Sequence, residues 1–417
     1  MVNRIALWFY PALFAGLFIM GSGNFAAAPC ADVYVNPLKG STGVHDPVMI
    51  KQDSTWYIFY TGDYIPVKAS RDRMNWRELP AVFSQCPGWF KTYVPENDGK
   101  NCWAPDISFR DGKYWLYYSV STFGSRISAI GLATTPTLDT LSATFGWTDH
   151  GMVIRSDNSK RYNCIDPNVF VDTGGKVWLV FGSWSSGIEM TELDAQSGKP
   201  VSEAPQVTSL ASRANGLGIE APFIIRKGDF HYLFVSWDNC CKGVNSTYNI
   251  RVGRSPEVTG PYTDKTGKPM TSGGGTLVDD GDERWIGPGH NAIFTENDTV
   301  FLVNHAYDAY DGGNPKLMIR PLYWDEEGWP TIDSSLGGIT ALHHAAAVAH
   351  RSNGRRGDTR PVVLCPHSRI NGADALFSLS GRRINFAREL RGAASVYIVR
   401  EHPDAPRSRM DNMDGER

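Results

Sequence analysis

The chain has 417 residues and a nearly balanced charge, with 41 Lys and Arg against 44 Asp and Glu. The formal net charge of -3 provides no cationic field that would gather phosphates, so nucleic acid is not an expected partner. Aromatic residues make up 12% of the chain and Gly numbers 42, a composition that suits many short strands joined by tight turns.

The N-terminus is typical of a secretory signal peptide. Arg4 precedes an uncharged apolar run over residues 5–20, and Ala26 to Ala28 supply the small residues of a cleavage site. A membrane anchor is disfavoured because the run is shorter than the roughly 20 residues needed to span a bilayer and is interrupted by Pro11. We therefore expect residues 1–28 to be a signal peptide, without assigning its cleavage bond, and the mature protein to be extracellular with no membrane partner.

One sequence phrase recurs five times: a small or polar start, an apolar stretch, a turn and an aromatic-rich strand. The five second strands align on aromatic residues spaced 54 to 69 residues apart, namely Tyr57, Trp115, Trp178, Tyr232 and Phe301. The turns are rich in Asp, Gly, Lys or Asn, which indicates hairpins. Five units of this size predict an all-β fold, a five-bladed β-propeller over residues 33–335.

The composition changes after this region. Residues 336–417 contain 13 Arg but no Lys and no Trp, and nothing in them continues the repeated phrase. Two interpretations fit this segment: a separate or disordered Arg-rich tail, or an artefact of the gene model.

Equivalent positions in the five phrases are expected to converge, because the first strand of every propeller blade lines the central channel. Counting back 11 or 12 residues from the aligned aromatics reaches one position in each phrase. These positions are Asp46, Trp103 or Ala104, Asp166, Glu220 and His290. Three carboxylates, an aromatic ring and an imidazole are therefore predicted to meet at one end of the channel.

Each of these residues also has a structural interpretation. An Asp before Pro, as at Asp46 and Asp166, commonly begins a turn, and Trp103 is equally well explained as core. His290 is either a satisfied channel histidine or a metal ligand. Glu220, however, lies in the apolar segment GIEAPFII, where an unpaired carboxylate is costly to bury. Three carboxylates at one register are hard to assign to turns, which favours a functional interpretation.

Three converging carboxylates match the requirements of glycoside hydrolysis, which needs one acid to protonate the leaving oxygen and one carboxylate as base or nucleophile. An apolar setting favours the protonated form of a carboxyl group, so Glu220 is predicted to be the general acid. Asp46 is predicted to be the base that activates water, and Asp166 the third carboxylate that tunes and orients the acid. The ring of Trp103 is a candidate platform for a sugar face.

Several segments resemble those of family 43 glycoside hydrolases, and most closely the arabinanases that cut α-1,5-linked L-arabinan. The resemblance covers about residues 43–330 and rests on VHDPV, WAPDIS, NCIDPNVF, IEAPFI and RWIGPGHNA, among others. It implies a five-bladed propeller and an inverting mechanism, with Asp46 as general base, Asp166 as pKa modulator and Glu220 as general acid. It also makes arabinan or an arabino-oligosaccharide the expected partner of a monomeric enzyme.

The same resemblance implies a calcium ion in the channel, held largely through waters, with His290 as its protein contact. Imidazole is an unusual ligand for calcium, which prefers oxygen. The resemblance further implies substrate contacts from His45, Trp103, Phe123, Ser183 and Trp184. The last of these positions departs from the family pattern, in which Phe-Trp follows the Ser, so one wall of the subsites is expected to differ.

Other functions are compatible with the same pattern. A β-xylosidase or an α-L-arabinofuranosidase on the same fold would trim single sugars from chain ends. A carbohydrate-binding propeller would use the same aromatic residues without hydrolysis, but the presence of all three carboxylates argues against it.

The cysteines leave two questions to the structure. Seven is an odd number, so at least one cysteine is unpaired or lies in a removed segment. The adjacent Cys240 and Cys241 recur in the arabinanase relatives, which favours inherited architecture, with a vicinal disulfide as one form, over catalytic thiols. Cys102 and Cys164 share a register on neighbouring blades, and both a bonded and a free pair fit that placement.

Overall fold

The structure is a computed structural model that describes residues 36–214 and 216–332, with four two-residue strands between residues 369 and 384. The chain divides into two units, one of residues 33–349 and one that combines residues 1–32 with 350–417. The expected signal peptide at 1–28 and all but those four strands of the Arg-rich segment at 336–417 lie outside the described residues.

The larger unit consists of five sheets that follow one another along the chain, which we call blades I to V. Blade I runs from the inner to the outer edge as β2 (Val48–Gln52), β3 (Thr55–Phe59), β5 (Val67–Ser70), β6 (Asn75–Leu79) and β1 (Lys39–Gly40). Blade II runs as β4 (Gly62–Asp63), β7 (Asn101–Arg110), β8 (Lys113–Val120), β9 (Ser128–Thr135) and β10 (Thr148–Ser156).

The other three blades are four-stranded antiparallel meanders. Blade III runs as β11 (Asn168–Val171), β12 (Val177–Phe181), β13 (Ile188–Leu193) and β14 (Thr208–Ala211). Blade IV runs as β15 (Ile219–Lys227), β16 (Phe230–Trp237), β17 (Asn249–Ser255) and β18 (Thr276–Asp279). Blade V runs as β19 (Trp285–Glu296), β20 (Thr299–Asp308), β21 (Asn314–Trp324) and β22 (Pro330–Thr331). The prediction of an all-β, five-bladed propeller is confirmed.

Helical structure in the described part of the chain is confined to single turns. They are α1 (Phe90–Tyr93) and the 3-10 turns Gly243–Asn245, Met270–Ser272 and Ala309–Asp311. None of the helices within the described ranges has the length and apolar character needed to cross a bilayer. The second unit contributes two small hairpins, formed by β23 (Arg369–Ile370) with β24 (Ala373–Asp374) and by β25 (Leu376–Phe377) with β26 (Arg383–Ile384).

The predicted hairpins form, and in each of them the second strand is more deeply buried than the first. Between β7 and β8, Asp111 and Gly112 make the turn with positive φ angles of 52° and 74°, the conformation that two-residue hairpins need. Strand β8 is buried at seven of its eight residues. A second strand has a strand on either side of it and a blade against each face, which is why its sequence is aromatic and aliphatic without a polar alternation.

The hydrophobic core lies between the blades. Successive clusters pack blade I on II, II on III, III on IV and IV on V. The first cluster also contains Val303 and Leu317 of blade V, together with Ile58 and Phe59 of blade I. The apolar contacts therefore form a closed ring.

The segment before β2 reinforces this closure with hydrogen bonds. The side-chain amide of Asn36 donates to the Leu317 carbonyl at 2.8 Å, and the Leu317 N–H donates to the Thr42 carbonyl at 2.8 Å. Gly43 pairs with Lys316 of β21, while β1 pairs with β6. Residues 36–43 thus tie the first blade to the last.

One residue with a left-handed backbone conformation lies in the first half of the inner strand of every blade, or just before that strand. The five residues are Asp46 (φ 50°), Ala104 (φ 46°), Asp166 (φ 57°), Ala221 (φ 54°) and His290 (φ 52°). Each lies four positions before the inner-strand residue that pairs with the aligned aromatic, as Ile50 pairs with Tyr57. Non-glycine residues in this region are uncommon and cluster at functional sites.

This register decides between Trp103 and Ala104, which the sequence left open, and corrects the alignment of Glu220. Ala104, not Trp103, holds the equivalent position in blade II. In blade IV this position is held by Ala221, so Glu220 lies one residue before the position that Asp46 and Asp166 occupy in their own blades. The count from the aromatics is 12 in blade III because that hairpin is one residue longer than the others. The register shifts between Glu220 and Phe223, and Glu220 lines the cleft whereas Ala221 does not.

Candidate active site

A cleft of about 660 Å³ takes residues from all five blades. Every residue that the sequence placed in a site lines it: His45, Asp46, Trp103, Phe123, Asp166, Ser183, Trp184, Glu220 and His290. The structure therefore brings all nine together, while the role of each remains a prediction. The one-residue offset of Glu220 does not remove it from the group.

The Asp46 carboxylate is buried and bonded on both oxygens. Oδ1 accepts hydrogen bonds from Nδ1 of His45 at 2.8 Å and Nδ1 of His290 at 3.1 Å. Oδ2 accepts one from the Thr61 hydroxyl at 2.5 Å. The Asp46 N–H donates to Nδ1 of His305 at 3.1 Å. These contacts fix the orientation of the carboxylate and hold the residue in its left-handed conformation.

The histidines around Asp46 differ in charge. Burial raises the pKa of Asp46, but the charges and hydrogen bonds of His45 and His290 outweigh it and hold that pKa well below the ordinary value. Burial lowers the pKa of His290, yet the Asp46 charge raises it to about 9. Burial lowers the pKa of His305, and its Nδ1 accepts an N–H, so this ring is neutral. Asp46 and His290 form an anion–cation pair at neutral pH.

The Glu220 carboxylate is bonded by hydroxyl groups. Oε2 accepts a hydrogen bond from Ser183 at 2.7 Å, and Oε1 accepts one from Tyr248 at 2.7 Å. Burial raises the pKa of Tyr248 well above its ordinary value, and the Glu220 charge adds to the rise, so the phenol keeps its proton. Glu220 therefore has two fixed partners that are themselves neutral.

Asp166 connects blade IV, which carries Glu220, to its own blade III. Its Oδ2 accepts the Ala221 N–H at 3.1 Å, next to Glu220, and its own N–H donates to the Ser119 hydroxyl at 2.9 Å. Burial raises the pKa of Asp166 to about 8; the His290 charge opposes this rise, and the charges of Glu220 and Asp46 add to it. Asp166 and Glu220 consequently behave as a pair of carboxyl groups that repel one another.

A ring of polar side chains, one from each blade, forms hydrogen bonds with the five segments around the left-handed residues. In each blade, a side chain four or five residues after the aligned aromatic of the second strand bonds to the left-handed residue of the next blade or to the residue before it. The pairs are Thr61 with Ala104, Ser119 with Asp166, Ser183 with Glu220, Ser236 with His290 and His305 with Asp46. Four of these side chains accept a backbone N–H at 2.8 to 3.1 Å. In blade IV the Ala221 N–H donates to Asp166, and the Ser183 hydroxyl instead donates to the Glu220 carboxylate.

Comparison with the sequence profiles of known families assigns the chain to one of them. The profile described as Glycosyl hydrolases family 43 matches residues 34–330, which is most of the chain and all five blades. The chain belongs to this family. It is accordingly a glycoside hydrolase of the arabinanase type, and the family assignment made from its motifs is confirmed.

Two curated family 43 relatives differ in the action that their names give. The chain is 48% identical over 293 residues to the extracellular endo-α-(1→5)-L-arabinanase 1 of Bacillus subtilis, a match that covers 69% of this chain and 87% of the relative. It is 45% identical over 301 residues to the extracellular exo-α-(1→5)-L-arabinofuranosidase ArbA of Cellvibrio japonicus, covering 70% of this chain and 86% of the relative.

Solved family 43 structures share the fold. The α-L-arabinanase of Cellvibrio cellulosa, solved in complex with arabinohexaose, superposes with a TM-score of 0.68 at 44% identity, covering 70% of this chain and 96% of that one. The family 43 endo-arabinanase of Bacillus licheniformis gives a TM-score of 0.66 at 49% identity, covering 71% of this chain and all of that one.

Exposed aromatic rings border the cleft of this family 43 chain. Phe123 is 81% exposed and Trp184 is 39% exposed, and solvent-facing rings beside a cleft can stack on apolar sugar faces. Trp184 adopts a left-handed conformation, and its N–H donates to the Ile219 carbonyl at 2.8 Å. Its ring packs over Gly218, where a Cβ atom would lie 2.8 Å from Cζ2 of the indole. The segment that departs from the family pattern is thus anchored beside Glu220.

Two arrangements bear on metal binding. His45, Asp46 and His305 place ligand-type atoms within 4.8 Å of one another, but two imidazoles and one carboxylate suit a transition metal better than calcium. His290 donates its Nδ1–H to Asp46, so a metal ion that displaces the proton from Nε2 would bind the lone pair of that nitrogen. A carboxylate on the far nitrogen is the arrangement that orients metal-ligating histidines, so His290 fits a single imidazole ligand.

The cysteines fall into two groups. Cys240 and Cys241 form a vicinal disulfide that lines the cleft. Cys86, Cys102 and Cys164 are free, so the pair at one register on blades II and III is unbonded. Burial raises the pKa of Cys102 and Cys164, which keeps both as unreactive thiols.

Several residues of the site were missed by the sequence reasoning. Four of them lie four residues after an aligned aromatic, so extending the repeat alignment would have found them. These are Thr61, Ser119, Ser236 and His305. Tyr248 lies outside the repeated phrase, in a segment that carries the family resemblance, and only its contact with Glu220 reveals it.

Proposed function

We propose that this protein is a secreted arabinanase that hydrolyses α-1,5-linked L-arabinan with inversion at the anomeric carbon. The observation that carries the proposal is the meeting of Asp46, Asp166 and Glu220 in one cleft of a family 43 propeller. Relatives at 45% and 48% identity are named for α-(1→5)-L-arabinan, which supports this substrate.

Asp46 is proposed as the general base. Its low pKa keeps it ionised, and its bonds to His45 and His290 fix the carboxylate without a proton of its own. In an inverting reaction the base takes a proton from water as that water attacks the anomeric carbon from the face opposite the leaving oxygen.

Glu220 is proposed as the general acid that gives its proton to the leaving glycosidic oxygen. Ser183 and Tyr248 hold the carboxyl group in place. Asp166 is proposed to be the third carboxylate, which modulates and orients the acid; its Oδ2 accepts the N–H of Ala221, the residue directly after Glu220. The exposed rings of Phe123 and Trp184, with Trp103 and His45 deeper in the cleft, are proposed to bind the sugars.

A calcium ion in the channel is also proposed, with His290 Nε2 as its protein ligand and water oxygens completing its coordination. Three carboxylates converge around this histidine, so a cation beside them is electrostatically favoured. When bound, such an ion would supply a fixed positive charge next to the catalytic carboxylates.

The metal proposal can be tested by measuring the metal content of the protein, without an activity assay. Elemental analysis of the purified protein is expected to find about one calcium per chain, and a His290→Ala variant is expected to lose it. Chelation is expected to lower Tm, and added calcium to restore it, because an ion that binds only the folded state stabilises it. Wild-type protein that contains no calcium, and whose Tm does not change when calcium is added, would contradict the proposed calcium site.

Residues 1–28 are proposed to act as a signal peptide that exports the enzyme. The extracellular relatives support export, since both are named as such. N-terminal sequencing of protein recovered from culture medium would test it, with a mature terminus expected near residue 28.

Product analysis on three substrates tests the proposed activity. Debranched arabinan and sugar beet arabinan are expected to be cleaved, and xylan is expected to be left intact. Proton NMR during the first turnovers is expected to show the β-anomer, since inversion of an α-linkage produces it. Xylan cleavage alone would replace the proposal with a xylosidase, and an initial α-anomer would exclude inversion.

The size of the products separates two modes of action. A ladder of mixed oligosaccharides means attack within the chain, as the name of the Bacillus subtilis relative states. A single dominant short product means attack from an end, as the name of the Cellvibrio japonicus relative states. Both outcomes are arabinan hydrolysis; binding without any product would support the carbohydrate-binding alternative.

A further inference from the structure

The vicinal disulfide stands where it can influence Asp46. Cys240 and Cys241 line the same cleft as the carboxylates, and Cys241 is exposed to it. The backbone of Cys241 is left-handed, with φ 67°. Its Sγ lies 3.9 Å from Nε2 of His45, which is the residue directly before Asp46.

An unbroken chain of hydrogen bonds joins the disulfide to Asp46. The Cys241 N–H donates to the Tyr307 hydroxyl at 2.7 Å, and that hydroxyl lies 2.9 Å from Nε2 of His45. Nδ1 of His45 lies 2.8 Å from Oδ1 of Asp46. A carboxylate only accepts, so Nδ1 donates to it; when Nε2 carries no proton, it accepts that of the phenol, and the phenol oxygen accepts the Cys241 N–H. The directions of all three bonds agree.

The first link depends on the backbone conformation of Cys241. Residues with a side chain adopt the left-handed region only where their surroundings impose it. A disulfide between neighbouring residues closes a small ring through their shared peptide, so Cys240 and Cys241 cannot rotate independently. Without the bond, Cys241 is free to return to the common regions of conformation, and its N–H then turns away from Tyr307.

We propose that the Cys240–Cys241 disulfide is a positioning element for the catalytic base, acting on Asp46 through Tyr307 and His45. This inference rests on the proposed role of Asp46. Its consequence is that opening the disulfide lowers the turnover number and leaves substrate affinity nearly unchanged, because the orientation of the base matters in the transition state more than in the bound ground state.

A dithiol reductant opens the disulfide in a balanced step. Two electrons and two protons pass from the two thiols of dithiothreitol, which closes to its cyclic disulfide, and Cys240 and Cys241 become two thiols. Cys86, Cys102 and Cys164 already are thiols, so within the described ranges this disulfide alone is reducible.

The test measures kcat and KM of the full-length protein on arabinohexaose, with and without dithiothreitol. Reduction is expected to lower kcat about tenfold, the effect of one lost orienting hydrogen bond, and to change KM less than about twofold. A Cys240→Ser/Cys241→Ser variant is expected to have the same low kcat and no response to dithiothreitol. A Cys86→Ser variant, which removes a free thiol outside the cleft, serves as the control and is expected to behave as wild type.

A second variant separates backbone positioning from loss of the sulfurs. Glycine adopts the left-handed conformation without steric cost, so Cys240→Ser/Cys241→Gly is expected to recover most of the kcat that Cys240→Ser/Cys241→Ser loses. Equal kcat values in the two variants would overturn the proposal. So would a raised KM at unchanged kcat, which would make the disulfide a substrate contact, or a dithiothreitol effect that persists in either variant.

A readout without substrate keeps this inference separate from the proposed function. In nitrogen-15 NMR spectra of the imidazoles, reduction is expected to shift the His45 signals and to leave those of His150, which bonds to Thr134, unchanged. Unchanged His45 signals overturn the inference whatever the activity. Wild-type protein that does not cleave arabinan, or an Asp46→Asn variant with wild-type kcat, would instead overturn the proposed function.

Discussion

The two proposed catalytic carboxylates differ in the kind of group that holds them. Asp46 is held by the ring N–H groups of His45 and His290, which only donate while they carry their protons. Glu220 is held by the hydroxyls of Ser183 and Tyr248, and a hydroxyl can donate or accept. The first arrangement favours an anion alone, while the second accommodates a carboxyl group with or without its proton, as an acid that loses and regains a proton requires.

Replacing the base tests the first arrangement. Asp46→Asn is expected to lower kcat on arabinan by about 10² to 10⁴, the usual contribution of a general base, since an amide cannot take the proton of water. Initial rates with debranched arabinan measure this, with circular dichroism to check the fold. Asp229→Asn in the exposed β15–β16 turn is the control and is expected to keep wild-type rates. A parental rate in the Asp46 variant would remove it from the mechanism.

Two buried tyrosines give a matched pair for the second arrangement. Tyr248 donates to Glu220, whereas Tyr262 donates to the Val258 carbonyl at 2.8 Å, away from the cleft. Each Tyr→Phe change is expected to reduce the free energy of unfolding by about 1 kcal/mol through one lost hydrogen bond. Only Tyr248→Phe is expected to lower kcat as well, by roughly tenfold. Equal rates in the two variants would mean that the Tyr248 hydroxyl has no part in orienting the acid.

Residues such as Tyr248 and Tyr307 could not be predicted from the sequence. Both stand outside the positions that the repeat equates, and each acts on a residue that is distant along the chain. A phenol in an apolar strand has the same sequence pattern whether it fills the core or bonds a carboxylate, and only the folded contacts distinguish these cases.

At the scale of strands, the repeat predicted the hairpins and the convergence of the site correctly, although one residue was aligned at the wrong register. The five hairpins and the convergence of Asp46, Asp166 and His290 followed from equal spacing. Glu220 was aligned one residue early because the longer hairpin of blade III makes its count 12, whereas in blade IV the equivalent residue, Ala221, lies at a count of 11. The two-residue strands β1 and β4 were not predicted at all, since a pair of residues carries no periodicity and their pairing depends on neighbouring loops.

The ring of polar side chains between blades makes a prediction about stability. The Ser236 hydroxyl accepts the His290 N–H at 2.8 Å and donates to Asn291 Oδ1 at 3.0 Å, all in buried surroundings. Ser236→Ala is expected to reduce the free energy of unfolding by about 1–3 kcal/mol, because both partners lose a bond they cannot exchange for water. Urea denaturation measures this difference.

Ser255 is the control for that substitution. It is equally buried, but its hydroxyl accepts only the Glu257 N–H of the same turn, at 3.2 Å, and connects no two blades. Ser255→Ala is expected to cost less than Ser236→Ala and to leave kcat unchanged, whereas Ser236→Ala lowers kcat through His290. A larger loss at Ser255 would show that the ring is not a principal tie between blades.

For the molecule as a whole, catalysis depends on the closure of the propeller. The proposed base comes from blade I, Asp166 from blade III, the proposed acid from blade IV and His290 from blade V, so no pair of adjacent blades contains the whole proposed site. The bond from His305 to the Asp46 N–H crosses the junction where the last blade meets the first. A gap at this junction would displace the base before any other catalytic group.

Shortening the N-terminus tests that dependence. A chain that begins at Val44 loses the bonds of Asn36 and Thr42 to Leu317 and the pairing of β1 with β6. At about 1 kcal/mol for each of these bonds, its Tm is expected to fall by roughly 5–10 °C, with a parallel fall in kcat as Asp46 loses its support. A chain that begins at Asn36 keeps every one of these bonds and is expected to match the mature enzyme in differential scanning calorimetry and in rate. If the shorter chain melted at the same temperature as the longer one, the apolar contacts between blades I and V would be sufficient to close the ring without residues 36–43.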